Sequence, residues 1–324
     1  MEILGLQGSP RKKGNTQFLL SAFLKAAEER GAVTRLVRVA ERRIEPCKEF
    51  VVCETRGTCP IRDDMDSEIY GLIRRAEVVV LASPIFFYNM TAQLKAAVDR
   101  CQVFWARKYR LKLADPLKAT RRGVLLSVAA TRGKTLFDGM QQTAKYFFDA
   151  IDARFETSLL YRGIEGPKDM SRHPSVLEEV NRAVDELMRP FAGRRRVLFL
   201  CRENACRSQM AGAFAQALAG DRLDVAVGGS TPAAAVNPDM AAVMAERGID
   251  LGFRTPQGIE AALAFGPPDA IVSMGCGEAC PIVPGAVRQD WDVPNPAGQP
   301  IDVMRRVRDD IEARVRRLID DLKP

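Results

Sequence analysis

The residues with the clearest chemical potential follow a short apolar run at residues 197–200. This run has the length and composition of a buried strand, and it ends at Cys201. Arg207 lies six positions after Cys201, and Ser208 follows it, directly before a helix-like segment. A strand, a tight loop and a helix start direct backbone amides at a bound anion and favour the thiolate of a cysteine there. The pattern therefore predicts a cysteine nucleophile in a loop that binds a tetrahedral oxyanion.

The string Cys-Arg-Glu-Asn-Ala-Cys-Arg-Ser-Gln-Met, which begins at Cys201, resembles the signature loop of low-molecular-weight protein tyrosine phosphatases. It resembles more closely their relatives, the arsenate reductases of the thioredoxin-coupled type. The resemblance implies that Cys201 attacks arsenate with help from Arg207 and Ser208. The expected oxyanion-binding positions are those of the loop: Arg202, Glu203, Asn204, Ala205, Cys206 and Arg207.

Two further cysteines follow a second apolar run, at residues 269–273. Parallel strands end at one edge of a sheet, so Cys276 and Cys280 are expected near Cys201. The pair again resembles arsenate reductases, and plain tyrosine phosphatases lack it. The resemblance implies a relay in which Cys276 attacks Cys201 and releases arsenite, and Cys280 then resolves the disulfide. A thioredoxin-like reductant would reopen the Cys276–Cys280 disulfide.

Asn295 departs from the pattern of both families. They carry an aspartate before the proline at this place, and it serves as the general acid. An amide cannot transfer a proton, so either Asp290 or Asp292 substitutes, or arsenate chemistry dispenses with the acid. We therefore favour arsenate reduction. The alternatives are a low-molecular-weight protein tyrosine phosphatase joined to a flavodoxin-like domain, and a non-enzymatic oxyanion or redox sensor.

The first half of the chain contains a second strand, loop and helix, with the loop at residues 8–16. Its hydroxyls, amides and cations suit a phosphate, and the absence of Gly-Lys-Ser/Thr excludes a Walker loop. This loop and residues 83–91 and 130–134 resemble the three flavin loops of NADPH-dependent FMN reductases and iron–sulfur flavoproteins. The resemblance implies FMN, with NAD(P)H as electron donor. The joining of the two halves suggests that these electrons reach the Cys276–Cys280 disulfide directly or through a thioredoxin-like carrier. The cofactor-binding residues it implies are Ser9, Arg11, Asn15, Thr16, Pro84, Ile85, Phe86, Tyr88, Asn89, Met90, Thr131 and Gly133.

Three cysteines, Cys47, Cys53 and Cys59, lie in one loop of the first half. Iron–sulfur flavoproteins carry four closely spaced cysteines at about this place, enough to hold a cluster. Here Phe50 stands where the second ligand is expected. Three thiolates leave a four-iron cluster one protein ligand short, so the sequence favours reduced thiols, a remnant loop near the flavin or a dithiol pair over a cluster.

Strands alternate with helices in both halves, which predicts an α/β protein with two doubly wound parallel sheets. The resemblances imply a flavodoxin-like domain followed by a low-molecular-weight phosphatase-like domain. An amphipathic helix ends near residue 192, so we predict domains of 1–192 and 193–324. Strands are predicted at residues 3–6, 33–38, 76–82, 123–129, 157–161, 197–200, 223–227 and 269–273. Helices are predicted at residues 17–30, 67–75, 91–106, 135–151, 175–192, 209–219, 239–247, 258–264 and 301–322.

Composition narrows the class of protein. The 324 residues are 47% hydrophobic and 27% charged, as in globular proteins. The net charge of +7 is dispersed and accompanies no nucleic-acid-binding module, so small anionic ligands are the expected partners. No apolar run is long enough for a membrane span, and the start lacks a secretory layout, which predicts a cytoplasmic protein. Flavodoxin-like reductases are often dimers, so the resemblance favours a homodimer.

Overall fold

The computed structural model describes residues 1–275 and 280–322, and the chain divides into two compact units. Unit 1 comprises Met1–Lys112 and Thr120–Pro190, and unit 2 comprises Leu113–Ala119 and Phe191–Pro324. The division after residue 190 lies two residues before the predicted boundary. Nothing in the sequence pattern predicts that residues 113–119 belong with the second unit.

The segment Leu113–Ala119 joins unit 2 through backbone hydrogen bonds. Ala114 donates to Gly248 O at 2.8 Å, and the Asp250 amide donates to Ala114 O at 2.8 Å. These bonds form a parallel bridge between Ala114 and Ile249. Such a short, isolated pairing has no repeating side-chain pattern, which is why sequence analysis does not detect it.

Unit 1 is built on a parallel five-stranded sheet with the order β2-β1-β3-β4-β5. This is the strand order of flavodoxin-like sheets, and it reverses direction between β1 and β3. Ligands of such sheets bind outside the carboxyl ends of the strands at this reversal. The strands are β1 (Glu2–Gln7), β2 (Val33–Arg38), β3 (Val78–Pro84), β4 (Arg122–Ala129) and β5 (Arg154–Arg162).

Eight helices belong to unit 1. The helix predicted over residues 91–106 is divided at Cys101 into two. A π-helical turn, Met65–Ile69, precedes the third helix. The helices are α1 (Asn15–Glu28), α2 (Val52–Arg56), α3 (Tyr70–Arg75), α4 (Ala92–Arg100), α5 (Gln102–Tyr109), α6 (Asp138–Ala150), α7 (Asp169–Arg172) and α8 (Val176–Met188).

Unit 2 contains a parallel four-stranded sheet with the order β7-β6-β8-β9. The central strand β6 is apolar and buried from Val197 onward, and the order reverses between β6 and β8. The two predicted α/β domains with parallel sheets are therefore confirmed. The strands are β6 (Arg195–Cys201), β7 (Leu223–Gly229), β8 (Ala270–Met274) and β9 (Val287–Asp290).

The main core of unit 2 lies on one face of this sheet, where Phe199, Met210, Val272 and Ile311 are buried together. Among the described residues, no helix is both long and apolar enough to cross a membrane. The helices of unit 2 are α9 (Arg207–Ala219), α10 (Pro238–Ala245), α11 (Ile259–Leu263) and α12 (Ile301–Asp321).

Candidate active site and cofactor-binding loops

Cys201 is the last residue of β6 and lies at the reversal point of the second sheet. Its neighbours in register are Gly229 on β7 and Met274 on β8. The side chain is 2% exposed, and its Sγ lies 3.0 Å from Ser208 Oγ. Cys201 is therefore a free thiol fixed at the sheet edge where α/β proteins bind their ligands.

Asn204 organises the loop from within, and its side chain is fully buried. Its Nδ2 donates to Ser208 Oγ at 2.8 Å, and its Oδ1 accepts from the Gln257 amide at 2.9 Å. Because Ser208 Oγ accepts from Asn204, its own O–H is left to donate to the Cys201 sulfur. Asn204 also has φ 49°, a left-handed conformation that asparagine tolerates well.

The carbonyl oxygens of the loop accept hydrogen bonds from backbone amides of residues 231–237. Arg202 O accepts from Thr231 at 2.8 Å, Glu203 O from Ala233 at 3.0 Å, and Ala205 O from Asn237 at 2.9 Å. Within residues 1–275 and 280–322, no backbone amide of residues 202–206 donates a hydrogen bond. Helix α9 also begins without a side-chain cap. The loop amides and the helix start are thus available to an anion beside Cys201.

Gly229 allows this loop to close. A Cβ at this position would lie 2.7 Å from the Asn204 nitrogen and 2.8 Å from Arg202 O. Real side chains do not approach backbone atoms so closely, so any other residue would displace the loop. This role of Gly229 was not predicted from the sequence.

Cys206 lies in the same loop but is a packed thiol. It is 7% exposed, and its sulfhydryl donates to Met304 Sδ at 3.4 Å. Burial raises the pKa of Cys206 to about 12, and the neighbouring Cys201 adds to the increase. Cys206 therefore remains protonated at neutral pH, which makes it a poor nucleophile.

Arg207 connects the loop to the segment that contains Asn295. Its Nη1 donates to Val293 O at 3.0 Å. Asn295 is exposed, and its Oδ1 accepts from the Ala297 amide at 3.3 Å. The asparagine is thus engaged in a local turn.

The two candidate replacement acids differ in their surroundings. Asp290 accepts a short hydrogen bond from Ser273 Oγ and pairs with Arg288 at 3.3 Å. Asp292 is exposed, and its carboxylate has no hydrogen bond or ion pair to any residue that the structure describes. Asp292 is therefore the less constrained of the two.

Cys276 lies outside the described residues. Cys280 is disulfide-bonded and buried, and it packs with Leu198, Leu200 and Ile271. Six other cysteines carry free thiols: Cys47, Cys53, Cys59, Cys101, Cys201 and Cys206.

In unit 1, polar side chains hold the first two flavin-loop candidates together at the carboxyl ends of β1 and β3. Thr91 Oγ1 donates to Gly8 O at 2.6 Å, and the Thr91 amide donates to Ser83 Oγ at 3.1 Å. Ser127 Oγ adds a bond to Ser83 O at 2.8 Å. A Cβ on Gly8 would lie 2.7 Å from Leu94 Cβ. Sequence analysis missed these positioning residues because isolated hydroxyl residues carry no pattern.

The start of α1 lies in the first of these loops. Gly14 is its N-cap residue and makes no side-chain capping bond, so the first amides of the helix can bind a phosphate. Ser9 is buried, and its Oγ accepts from the Arg11 amide at 3.2 Å. Thr16 is buried within the first turn and Arg11 is exposed.

Asn15 has a different role in the structure. Its Nδ2 donates to Gly166 O at 3.0 Å, and its Oδ1 accepts from the Met170 amide at 3.1 Å. The side chain therefore anchors the segment after β5. The Asn15 backbone amide remains at the helix start.

The second loop, which follows Pro84 and Ile85, is a tight hairpin. Phe86 and Asn89 exchange backbone bonds of 2.8 and 3.0 Å. Phe87 and Tyr88 have φ values of 46° and 62°, which define a type I′ turn. Left-handed geometry costs about 1–2 kcal/mol for each such residue. The turn exposes three aromatic side chains, those of Phe86, Phe87 and Tyr88, just after the carboxyl end of β3.

The hairpin is held at its base. Asn89 Nδ2 donates to Thr143 Oγ1 at 3.1 Å, and Met90 is buried. The third loop is exposed and is fixed through its carbonyls. Thr131 O accepts from the Gly163 amide at 3.3 Å, and Gly133 O accepts from Arg162 Nε at 3.1 Å.

Three of the four cysteines of unit 1, Cys47, Cys53 and Cys59, line one pocket of 410 Å³. Cys47 is exposed, whereas Cys53 and Cys59 are half-buried. No group of three or more His, Cys, Asp or Glu side chains in the described chain is arranged to hold a metal ion. Cys101 does not line the pocket and is 2% exposed, so it supplies no fourth ligand there.

Comparison with known proteins assigns the two halves of the chain to two different families. The family model for NADPH-dependent FMN reductases matches residues 1–151. The model for low-molecular-weight phosphotyrosine protein phosphatases matches residues 196–324.

Individual relatives agree with these families. An iron–sulfur flavoprotein of Methanosarcina thermophila is 35% identical over 149 residues, 46% of this chain and 72% of its own length. A glutaredoxin arsenate reductase of Synechocystis is 37% identical over 128 residues, 39% of this chain and 96% of its own length. The crystal structure of an arsenate reductase from Archaeoglobus fulgidus is 31% identical, with a TM-score of 0.34, and the match covers 38% of this chain and 98% of that one.

The chain therefore belongs to the FMN reductase and iron–sulfur flavoprotein family in its first half, and to the phosphatase-like arsenate reductase family in its second.

Proposed function

We propose that the second unit reduces arsenate to arsenite through a relay of thiols, and that the first unit binds FMN and oxidises NAD(P)H. The observation that carries the proposal is the Cys201 loop. A buried thiol lies 3.0 Å from the Ser208 hydroxyl, which can donate to its thiolate, in a loop whose amides are available to an oxyanion.

In the proposed relay, the Cys201 thiolate bonds to arsenic and one arsenate oxygen leaves as water. The Cys276 thiolate then attacks the Cys201 sulfur. The sulfur–arsenic bond breaks with its electron pair left on arsenic, which releases arsenite and forms a Cys201–Cys276 disulfide. Attack by Cys280 on Cys276 frees Cys201 and transfers the disulfide to the pair. Two thiols thereby supply both electrons.

Each described residue of the loop has a role in this scheme. The amides of residues 202–206 and the Arg207 guanidinium bind the arsenate oxygens. Ser208 stabilises the Cys201 thiolate before attack and again when it leaves. The disulfide at Cys280 is the oxidation state expected at the end of the relay.

The first unit has features that fit FMN. The uncapped start of α1 suits the phosphate, and the loops after β1, β3 and β4 meet at the edge where flavodoxin-like sheets bind ligands. When bound, FMN would supply a centre that accepts hydride from NAD(P)H and donates electrons onward. Ser9, Arg11 and Thr16 would orient its phosphate, and the hairpin after Pro84 would contact the edge of its ring.

One experiment tests the route of the electrons. The purified protein is incubated with NADPH and arsenate, with and without a thioredoxin or glutaredoxin system, and arsenite is measured. Arsenite formed with NADPH alone would support direct supply by the flavin. Arsenite formed only with the added system would limit the proposal to the thiol relay.

The same preparation distinguishes reduction from hydrolysis. We expect the Cys280→Ser variant to lose multiple turnovers of arsenate. Hydrolysis of an aryl phosphate that survives in this variant, together with no arsenite from the native chain, would favour a phosphatase.

A further inference from the structure

The three-cysteine pocket of unit 1 does not suit the four-iron cluster that its family name suggests. Phe50 occupies the wall of the pocket and is 55% exposed, and only three thiols line the space. A four-iron cluster held by protein takes four thiolates. Thiolates nevertheless remain ligands that select soft ions.

We propose that Cys47, Cys53 and Cys59 bind trivalent arsenic, the product of the proposed reductase, through three sulfur atoms. Trivalent arsenic forms three bonds and keeps a lone pair, so it needs no fourth ligand. In the binding step, As(OH)3 and three thiols give As(SR)3 and three water molecules. No electron is transferred, so no oxidant or reductant is required.

The ends of the cysteine segment are fixed by a buried ion pair. Arg100 Nη1 lies 2.6 Å from Asp63 Oδ2, and both side chains are 1% exposed. Arg100 also donates to Glu45 O at 2.9 Å, and Asp63 accepts from the Glu45 amide at 2.9 Å. The pair therefore joins the two ends of the segment 45–63, which we call the cysteine strap.

The middle of the cysteine strap is held from α5. Arg107 Nη1 donates to Gly57 O at 2.9 Å. Arg110 pairs with Glu54 at 3.0 Å, next to Cys53 on α2. These contacts give Cys53 and Cys59 defined positions around the pocket.

Cys47 belongs to a part of the cysteine strap that can adjust. It is exposed, and it is followed by Glu49 and Val51 with φ values of 54° and 60°. A left-handed conformation is unfavourable for a branched residue such as Val51. In the arrangement described, the three thiols do not yet form a metal site, so the proposal requires a shift of this stretch that brings Cys47 to Cys53 and Cys59. Release of the strain at Val51 would favour such a shift.

The proposal rests on the proposed function only for the source of its ligand, so the test supplies arsenite directly. The full chain carries Cys201→Ser, Cys276→Ser and Cys280→Ser, which removes the thiols of the relay. Equilibrium dialysis against arsenite should give one arsenic atom per chain, with the loss of three thiols that react with a thiol reagent.

Two further variants, each made in this triple-serine background, test which thiols bind arsenite. Cys53→Ser should weaken arsenite binding more than about tenfold, because one of three bonds is lost. Cys101→Ala is the matched control, since Cys101 lies outside the pocket, and its affinity should be unchanged. Thermal unfolding of each variant verifies that the chain remains folded.

Several outcomes would overturn the proposal. They are no arsenic bound, loss of only two thiols per arsenic, or equal weakening by Cys101→Ala. Anaerobic incubation of the native chain with iron and sulfide that yields a four-iron cluster would overturn it too. Failure of the native chain to reduce arsenate would refute the proposed function and leave the dialysis result unaffected.

Discussion

The loop that follows β6 and the cysteine strap of unit 1 hold their thiols by different means. The loop that begins at Cys201 fixes one buried thiol with a hydroxyl 3.0 Å away. The cysteine strap, residues 45–63, is fixed at its ends by Arg100 and Asp63, and its first thiol, Cys47, is exposed.

The difference lies in what surrounds the sulfur. Cys201 ends a central strand and precedes an uncapped helix, so amides converge on a bound oxyanion. The cysteine strap instead places three thiols, those of Cys47, Cys53 and Cys59, around one pocket. The first arrangement suits attack on an anion, and the second suits capture of a soft ligand.

Replacement of the nucleophile should have the largest effect. Cys201→Ser keeps the shape of the side chain but removes the thiolate, so arsenate reduction should fall more than about 10³-fold. The measurement is arsenite formed per minute with an external dithiol reductant. The control Cys47→Ser alters the other loop and should change this rate less than about threefold. Equal losses in both variants would remove the distinction between the loops.

The buried ion pair between Arg100 and Asp63, which fixes the ends of the cysteine strap, should contribute strongly to the stability of unit 1. Asp63→Asn leaves the buried Arg100 without its counter-charge, which should lower the free energy of unfolding by about 3–5 kcal/mol. Urea unfolding measures this loss. The control Asp66→Asn breaks an exposed pair with Arg62 and should cost less than about 1 kcal/mol.

The same ion pair should make the stability of the fold depend on pH. Burial opposes the charge of Asp63, but the hydrogen bonds from Arg100 and from the backbone hold its pKa below the usual range. A lowered carboxyl pKa stabilises the fold above the usual value near about 3.9 and stops doing so as the pH falls through the lowered pKa. The stability gap between the native chain and Asp63→Asn should therefore narrow only below about pH 4. A gap that narrows between pH 7 and 5 would contradict this.

Prediction from sequence succeeded where side-chain pattern and burial coincide. The apolar strand before Cys201 and the spacing to Arg207 were sufficient to locate a loop that the fold then builds. Strand β9, Val287–Asp290, was missed because it is a mostly exposed edge strand of polar residues. The role of Asn15 was also not predictable, because its partners Gly166 and Met170 lie far along the chain.

A substitution at Asn295 tests whether the Cys201 loop favours arsenate reduction over phosphate hydrolysis because it lacks a general acid. Asn295→Asp restores a proton donor at the place where phosphatases carry one, and hydrolysis of aryl phosphate should rise by about 10²-fold. Arsenate reduction should change less than about threefold if it dispenses with the acid. The matched variant Asp292→Asn removes the unpaired carboxylate nearby. A large loss of reduction there would identify Asp292 as the acid.

The smallest effect should come from the hydroxyl beside the sulfur. Ser208→Ala removes the hydrogen bond to Cys201 and leaves Asn204 Nδ2 without its acceptor, so arsenate reduction should fall about tenfold, as expected for a bond to a charged group. Ser230→Ala is the control, since its hydroxyl makes only a 3.5 Å bond to Arg202 O in the same region. We expect a change of less than about twofold there. A Ser208→Ala enzyme as fast as the native one would mean that the amides and Arg207 alone hold the thiolate. The contrast with the cysteine strap would then depend on backbone rather than on side chains.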